Sequence, residues 1–115
     1  MKINTLELAV IERTMTANQQ YATSPIENLA DLAVIERNVD PVGFLTEIDP
    51  SGPGCVFRQD FTMRWGGTNG RLNGSIDVAF VVYIDAGCIT GIEGATYGGE
   101  LWPTELESFE LADMK

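Results

Sequence analysis

Hydrophobic and polar residues alternate most regularly in the middle of the chain, from Val56 to Trp65. A period of two is typical of a strand with one face in the core and the other in solvent. The predicted core-facing residues are Phe57, Phe61, Met63 and Trp65. Segment 66–74 follows, and its two Asn-Gly pairs are typical of tight turns, so the pattern predicts a hairpin loop there.

Two further strands are predicted between Asp77 and Pro103. The first, ending at Ile84, is almost wholly apolar after Asp77, which is typical of a strand that is central in a sheet or covered on both faces. A tight turn at residues 85–87 would join it to the second strand. The predicted cross-strand pairs are Ile84 with Cys88, Phe80 with Ile92 on the core side, and Ala79 with Glu93 on the opposite face.

The N-terminal residues have apolar positions at helical spacing, on two nearly opposite faces. One face carries Ile3, Leu6, Val10 and Ala17, and the other carries Leu8, Ile11 and Met15. A helix that is apolar on two sides needs two partners. The second partner is either a loop of the same chain or another subunit, so a homodimer through the N-terminal helix is one interpretation.

A second helix is predicted to start at Ser24. Its side chain can accept hydrogen bonds from free backbone donors, Pro25 suits the first helical position, and Glu27 completes a capping box. The helical pattern ends near Ala33, and the following residues to Ile48 favour extended structure interrupted at Asp40-Pro41.

The hexapeptide Leu8–Arg13 recurs letter for letter as Leu32–Arg37. The residues flanking the two copies differ, and the patterns around them predict a helix for the first copy and a strand for the second. At the C-terminal end, residues 104–112 fit either a capping box or alternation, and the alternation of Phe109 and Leu111 with polar residues favours a strand. Together these elements predict one α+β domain over residues 1–115, with two N-terminal helices packed on a mainly antiparallel sheet of about five or six strands.

Charge narrows the class of partner. The formal net charge is -10, from 7 basic and 17 acidic residues, and such a surface repels nucleic acid and anionic membranes. A basic protein is the partner that this charge favours. No apolar run has membrane-spanning length, and Glu7 and Glu12 interrupt any signal-peptide pattern, so a cytoplasmic location is expected. Cys55 and Cys88 are accordingly expected to be reduced, buried thiols.

Candidate chemistry is sparse. The chain has no histidine and only two cysteines, so the sequence predicts no metal site, no cofactor and no histidine-based catalysis, and it leans against an enzyme. Glu93 is the candidate binding residue, because the small residues predicted around it would leave a shallow depression. Tyr97 and Trp102 could form its walls, and Glu100 lies nearby in sequence. The competing interpretation, a carboxylate that is simply solvated or hydrogen-bonded to the Gly98-Gly99 backbone, is favoured because no second catalytic group accompanies Glu93.

The run Glu93-Gly94-Ala95-Thr96-Tyr97-Gly98, followed by Trp102-Pro103, resembles the C-terminal half of small uncharacterised bacterial α+β proteins. Gly43-Phe44-Leu45-Thr46 and Arg37 resemble the earlier part of the same pattern, so the likeness covers about half of the chain. This resemblance implies no established activity. The role that the resemblance suggests for such a small acidic protein is that of an immunity partner of a toxin.

Two functions are therefore expected. The first is an acidic interaction module, of the immunity or inhibitor type, that binds a basic protein. The alternative is a small-molecule binding protein or weak enzyme that uses a shallow cleft around Glu93.

Overall fold

The computed structural model describes residues 1–23, 29–50 and 52–113. In this part of the chain one α-helix, α1 (Thr5–Ala17), packs on a six-stranded sheet. The strands are β1 (Val34–Asp40), β2 (Gly43–Ile48), β3 (Met63–Leu72), β4 (Ile76–Asp85), β5 (Cys88–Thr96) and β6 (Phe109–Asp113). Their order is β1-β2-β5-β4-β3-β6, and every neighbouring pair is antiparallel. The predicted α+β class with an antiparallel sheet is confirmed.

The prediction of a second N-terminal helix is wrong. Residues 24–28, where it was predicted to start, lie outside the described residues, and Leu29–Asp31 forms a single 3-10 turn. Leu29 and Leu32 are buried beside this turn, and Ala33 already pairs with Lys2 in an isolated β-bridge. Because the chain must be extended by Val34 to join the sheet, a helix continuing to Ala33 does not fit.

Helix α1 begins with the hydrogen bonds of a capping box. The Asn4 side chain accepts from the Glu7 backbone, and the Glu7 side chain accepts from the Asn4 backbone. At about 100° per residue, the buried positions of α1 span one arc of about half the helix circumference. These positions are Leu6, Glu7, Val10, Ile11, Thr14 and Met15.

The two apolar faces predicted for α1 are therefore the two margins of one wide buried face. Its centre holds the polar residues Glu7 and Thr14, and the Thr14 hydroxyl donates to the backbone oxygen of Val10 at 2.9 Å. Leu8, on one margin, is half-buried and packs against the same core. The apolar residues that suggested a dimer contact are thus packed within their own chain. They therefore give no support to a homodimer through α1.

The extended structure predicted up to Ile48 is present, and its interruption at Asp40-Pro41 is the turn of a hairpin between β1 and β2. The Asp40 carboxylate accepts from the Val42 backbone at 2.8 Å and holds the two-residue turn. The second copy of the hexapeptide runs into β1, while the first copy lies in α1. The predicted difference in structure between the two copies is confirmed, and so is the C-terminal strand, which is β6.

The strand predicted over residues 56–65 is confirmed only at Met63–Trp65, and the hairpin loop predicted over residues 66–74 is confirmed only at Asn73-Gly74. Residues 55–62 form a loop, and β3 instead runs through the glycines as far as Leu72. Only Asn73-Gly74 makes the turn, with positive φ angles of 51° and 75°. Gly70 suits a strand interior because a Cβ there would lie 3.0 Å from both Leu111 and Phe80, whose side chains pack closely over it.

The β4–β5 hairpin is at the centre of the sheet, as predicted, but its register is different. The turn has two residues, Ala86 and Gly87, and a bulge follows on β5. The observed pairs are Asp85 with Cys88, Ile84 with Ile89, Val82 with Ile92, Val81 with Glu93 and Ala79 with Ala95. Beyond the bulge the register differs from the predicted one by two residues, so Phe80 and Ile92 keep the core side and Glu93 keeps the opposite side.

Cys55 and Cys88 form a disulfide bond, so the prediction of reduced thiols is wrong. The bond joins the loop before β3 to the start of β5. In the same loop, the Phe57 backbone N–H donates to the Gly87 oxygen at 3.1 Å, and the Phe61 backbone oxygen accepts from the Gly87 N–H at 2.9 Å. The loop is therefore fixed against the β4–β5 turn by both covalent and hydrogen bonds.

Gly43→Ala is expected to destabilise the protein by about 2–3 kcal/mol or more, because a Cβ at this position would lie 2.1 Å from the Gly94 backbone oxygen. The two strands β2 and β5 would have to separate to accept it. Urea unfolding followed by tryptophan fluorescence measures the loss. Gly66→Ala is the matched control, since its nearest contacts would lie at 3.8 Å, and a change within about 0.5 kcal/mol is expected. Equal effects at the two glycines would contradict the close approach of β2 and β5.

Candidate functional site

One face of the sheet packs under α1 and the other carries side chains that are all exposed or half-buried. Alternate positions on each strand give this second face, which we call the open face. Among the described residues no further layer covers it. Its residues are Glu36, Asn38, Asp40, Leu45, Glu47, Arg64, Asn69, Arg71, Asp77, Ala79, Val81, Tyr83, Glu93, Ala95, Glu110 and Ala112.

Glu93 lies on the open face in the middle of the sheet. Leu45 on β2 and Val81 on β4 are its direct cross-strand neighbours, in place of the predicted Ala79. The Tyr83 hydroxyl donates to Glu93 Oε1 at 3.0 Å. Among the described residues no group donates to Oε2, so half of this carboxylate remains available to a bound group.

Arg64 extends this interaction across three strands. Its guanidinium lies 5.2 Å from the centre of the Tyr83 ring, and its Nη2 donates to the Tyr83 hydroxyl at 3.4 Å. The stacked arginine holds the tyrosine, and the tyrosine orients the carboxylate of Glu93. Sequence reasoning missed Tyr83 and Arg64 because their meeting depends on the β3–β4 register, which places Arg64 opposite Tyr83.

The four residues predicted as a binding site do not come together. The Tyr97 hydroxyl donates to Asn69 Oδ1 at 2.8 Å, over the β3 side of the open face. Glu100 is exposed in the loop after β5, where its backbone oxygen accepts from Thr96. Trp102 is half-buried on the other side of the sheet, packed edge-on against Phe44 at 5.2 Å between ring centres. Only Glu93 and Tyr97 therefore share a face.

Two shallow depressions flank Leu45 on the open face. The one beside Glu93 has a volume of about 330 Å³ and extends to Asn38, Asp40 and Val42 at the β1–β2 turn. The other, of about 350 Å³, lies between Leu45, Glu47 and Tyr83. Leu45 is 37% exposed and separates them. The depression predicted at Glu93 is present, but its walls are strands β1 and β2 instead of Tyr97 and Trp102.

Carboxylates are concentrated at the β1–β2–β5 side of the open face. Glu36 lies directly opposite Glu47, and Glu93, which pairs with Leu45, is diagonal to Glu47 on the neighbouring strand β5. Among the described residues none of the three forms a salt bridge. Like charges directly opposite each other destabilise a sheet, so the folded state gains nothing from the Glu36–Glu47 pair by itself.

The β3–β4 side of the open face has a different charge balance. Arg71 Nε donates to Asp77 Oδ1 at 2.9 Å, and this hydrogen bond, with the negative charge of Asp77, raises the pKa of the arginine. Arg64 is engaged with Tyr83. On this side Arg64 and Arg71 balance Asp77 and Glu110, so the excess negative charge of the open face comes from Glu36, Asp40, Glu47 and Glu93.

No protein-family model, curated protein or solved structure matches this chain. In residues 1–23, 29–50 and 52–113, no helix is long and apolar enough to cross a membrane. The same ranges contain no group of three or more cysteine, aspartate or glutamate side chains arranged to hold a metal ion. The resemblance of residues 93–103 to small bacterial proteins stays a prediction.

Proposed function

We propose that the protein is an acidic interaction module that binds a basic protein, in the manner of an immunity protein or inhibitor. The observation that carries this proposal is the Glu36–Glu47 pair, two carboxylates held opposite each other on a sheet face that no other layer covers within residues 1–23, 29–50 and 52–113. A lysine or arginine of a partner placed between them would turn a repulsive pair into an attractive group of three charges.

The rest of the open face suits the same role. Leu45 offers exposed apolar surface between Glu47 and the half-free carboxylate of Glu93. Protein interfaces commonly combine an apolar centre with a polar rim, and this part of the sheet has both. The net charge of -10 would accelerate the encounter with a positively charged partner and make it sensitive to salt.

Small-molecule binding or weak catalysis at Glu93 has less support. The depression there is open and lies at the small end of the range of about 300–1,000 Å³ for ligand pockets. One oxygen of Glu93 is already hydrogen-bonded to Tyr83. The cytoplasmic location stays a prediction, and the disulfide weighs against it, because structural disulfides are rare in reducing compartments.

Neutralising the acidic side of the open face is expected to weaken partner binding. In the variant Glu36→Gln/Glu47→Gln/Glu93→Gln, a basic protein captured by the immobilised wild-type chain from its native lysate should bind at least about tenfold more weakly. Isothermal titration with the purified captured protein measures this change at low and at high salt. The reason is that the three carboxylates supply the charge that the partner must meet.

The matched control removes three exposed carboxylates elsewhere, in Glu12→Gln/Asp31→Asn/Glu105→Gln. Both variants therefore lose the same charge from the net value of -10. The control should retain binding within about threefold, since only long-range attraction changes. Equal weakening in the two variants, or a partner that is not basic, would contradict a binding site on the open face.

A further inference from the structure

We infer that the outer edge of β1 accepts an extended strand of the partner whose residues alternate between basic and apolar. This inference rests on the proposed function, because it specifies how the basic partner is held. It also draws on two features of the molecule that lie outside the open face. These are the free edge of the sheet and a groove on the opposite side of that edge.

β1 is the last strand at its end of the sheet. The N-terminal residues cover only its beginning: Lys2 pairs with Ala33, and the Met1 backbone oxygen accepts from Val34 at 2.8 Å. From Glu36 to Asp40 no strand lies outside β1 among the described residues. Edge strands present unpaired backbone donors and acceptors, which are the groups that an added strand uses.

The side chains of an added strand form two sets, because alternate residues point to opposite faces of the sheet. The first set would lie over the open face. There Glu36 is the outermost residue of the acidic group, directly beside Glu47 on the next strand inward. A residue of the partner opposite Glu36 would be directly beside Glu36 and two strand spacings, roughly 10 Å, from Glu47, which a long basic side chain can approach. Lysine or arginine is the side chain that this position favours, because it removes the like-charge contact.

The second set would lie on the other side, where a groove of about 560 Å³ runs along the end of β1. Val39, Trp102 and Leu106 give it an apolar lining, together with Pro41 and Pro103. Val39 is 65% exposed although it neighbours the buried Phe44. The edge-on packing of Trp102 against Phe44 fixes the indole at the groove wall, so the groove suits an apolar side chain.

Successive residues of a strand point to opposite faces, so basic and apolar residues must alternate for both sets to fit. A second copy of this chain does not meet this requirement. In an antiparallel pairing of two β1 strands, the central register places Arg37 against Arg37. A shift by one residue places Glu36 against Asp40 or against itself, and each copy also carries a net charge of -10.

The test uses a synthetic peptide of alternating lysine and valine, with blocked ends, titrated into the isotope-labelled protein at low ionic strength. Backbone amide signals of residues 36–40 and the indole signal of Trp102 are expected to shift. Two N-methylated forms of the peptide, one methylated at every lysine and one at every valine, separate backbone pairing from charge. Only one set of N–H groups faces β1, so the two forms should differ in affinity by at least about tenfold.

A peptide with the same composition in separate lysine and valine blocks, and the matched variants Val39→Thr and Val42→Thr, provide the controls. The alternating peptide should bind more tightly than the block peptide, and only Val39→Thr should weaken it. If the alternating peptide binds but both N-methylated forms bind equally well, strand addition is wrong and the acidic module stands. If neither the alternating nor the block peptide binds, the proposed function is contradicted as well.

Discussion

Glu7→Ala is expected to lower the free energy of unfolding by about 3–5 kcal/mol, the cost of removing one partner of a buried ion pair. The Glu7 side chain is fully buried, and its partner Arg37 is 22% exposed. Alanine would leave the Arg37 guanidinium without its carboxylate at the edge of the core. Urea unfolding, followed by circular dichroism and tryptophan fluorescence, measures the change in midpoint at constant slope.

The expected loss is large because Glu7 satisfies donors from three elements. It accepts from the Asn4 backbone at 2.9 Å, from Arg37 Nε at 3.0 Å and Arg37 Nη2 at 2.5 Å, and from the Thr46 hydroxyl. This carboxylate therefore joins the start of α1 to β1 and β2. Its removal would leave the buried Thr46 hydroxyl without this acceptor and would weaken the cap of α1.

Two variants separate the ion pair from other effects. Glu12→Ala changes an exposed glutamate on the same helix and should alter stability by less than about 0.5 kcal/mol. Glu7→Leu/Arg37→Met replaces both charges by apolar side chains and should recover much of the stability lost in Glu7→Ala. A cost below about 1 kcal/mol for Glu7→Ala would show that this carboxylate is not a buried structural partner of Arg37.

The duplicated hexapeptide shows how far local pattern can predict structure. The same six residues form part of α1 in one place and enter β1 in the other, so intrinsic propensity does not decide between them. Their flanking residues do. The first copy lies among apolar residues at helical spacing, whereas the second copy leads to the Asp40-Pro41 break in extended structure. These signals are local, which is why they could be found in the sequence.

Errors arose where a distant contact decided the outcome. The glycines of β3 suggested a loop, but β4 and β6 pair on both sides of that strand, and Gly70 accommodates Phe80 and Leu111. Likewise, the polar Glu7 at the centre of the buried face of α1 made one face look like two. Its partner Arg37 lies 30 residues away in the sequence.

The candidate site was predicted only in part, because some of its features also depend on distant contacts. Alternation placed Glu93 on the face away from the core, and the two-residue difference in register did not change that side. Its neighbours did change, because they depend on which strands pair. Glu47 and Glu36 face each other only through the β1–β2 register, and Trp102 reached the other side of the sheet through the loop after β5.

Cys55→Ala/Cys88→Ala is expected to lower the free energy of unfolding by about 3–4 kcal/mol under oxidising conditions, the chain-entropy value for a loop of this size. The two cysteines are separated by 33 residues in the sequence, and their bond closes the segment containing β3 and β4. Urea unfolding of the variant and of the oxidised wild-type protein measures the difference. A thiol-specific reagent applied to the unfolded wild-type protein should find no free thiol.

Reduction provides the internal control for this prediction. A reducing agent should destabilise the wild-type protein to near the level of the variant and should leave the variant unchanged, because only the wild type has a bond to lose. The hydrogen bonds between Gly87 and the loop residues Phe57 and Phe61 persist in both, so the reduced protein should keep its fold in the absence of urea. Two reactive thiols in protein prepared without reductant would contradict the bond, and the reduced, cytoplasmic state predicted from the sequence would then be favoured.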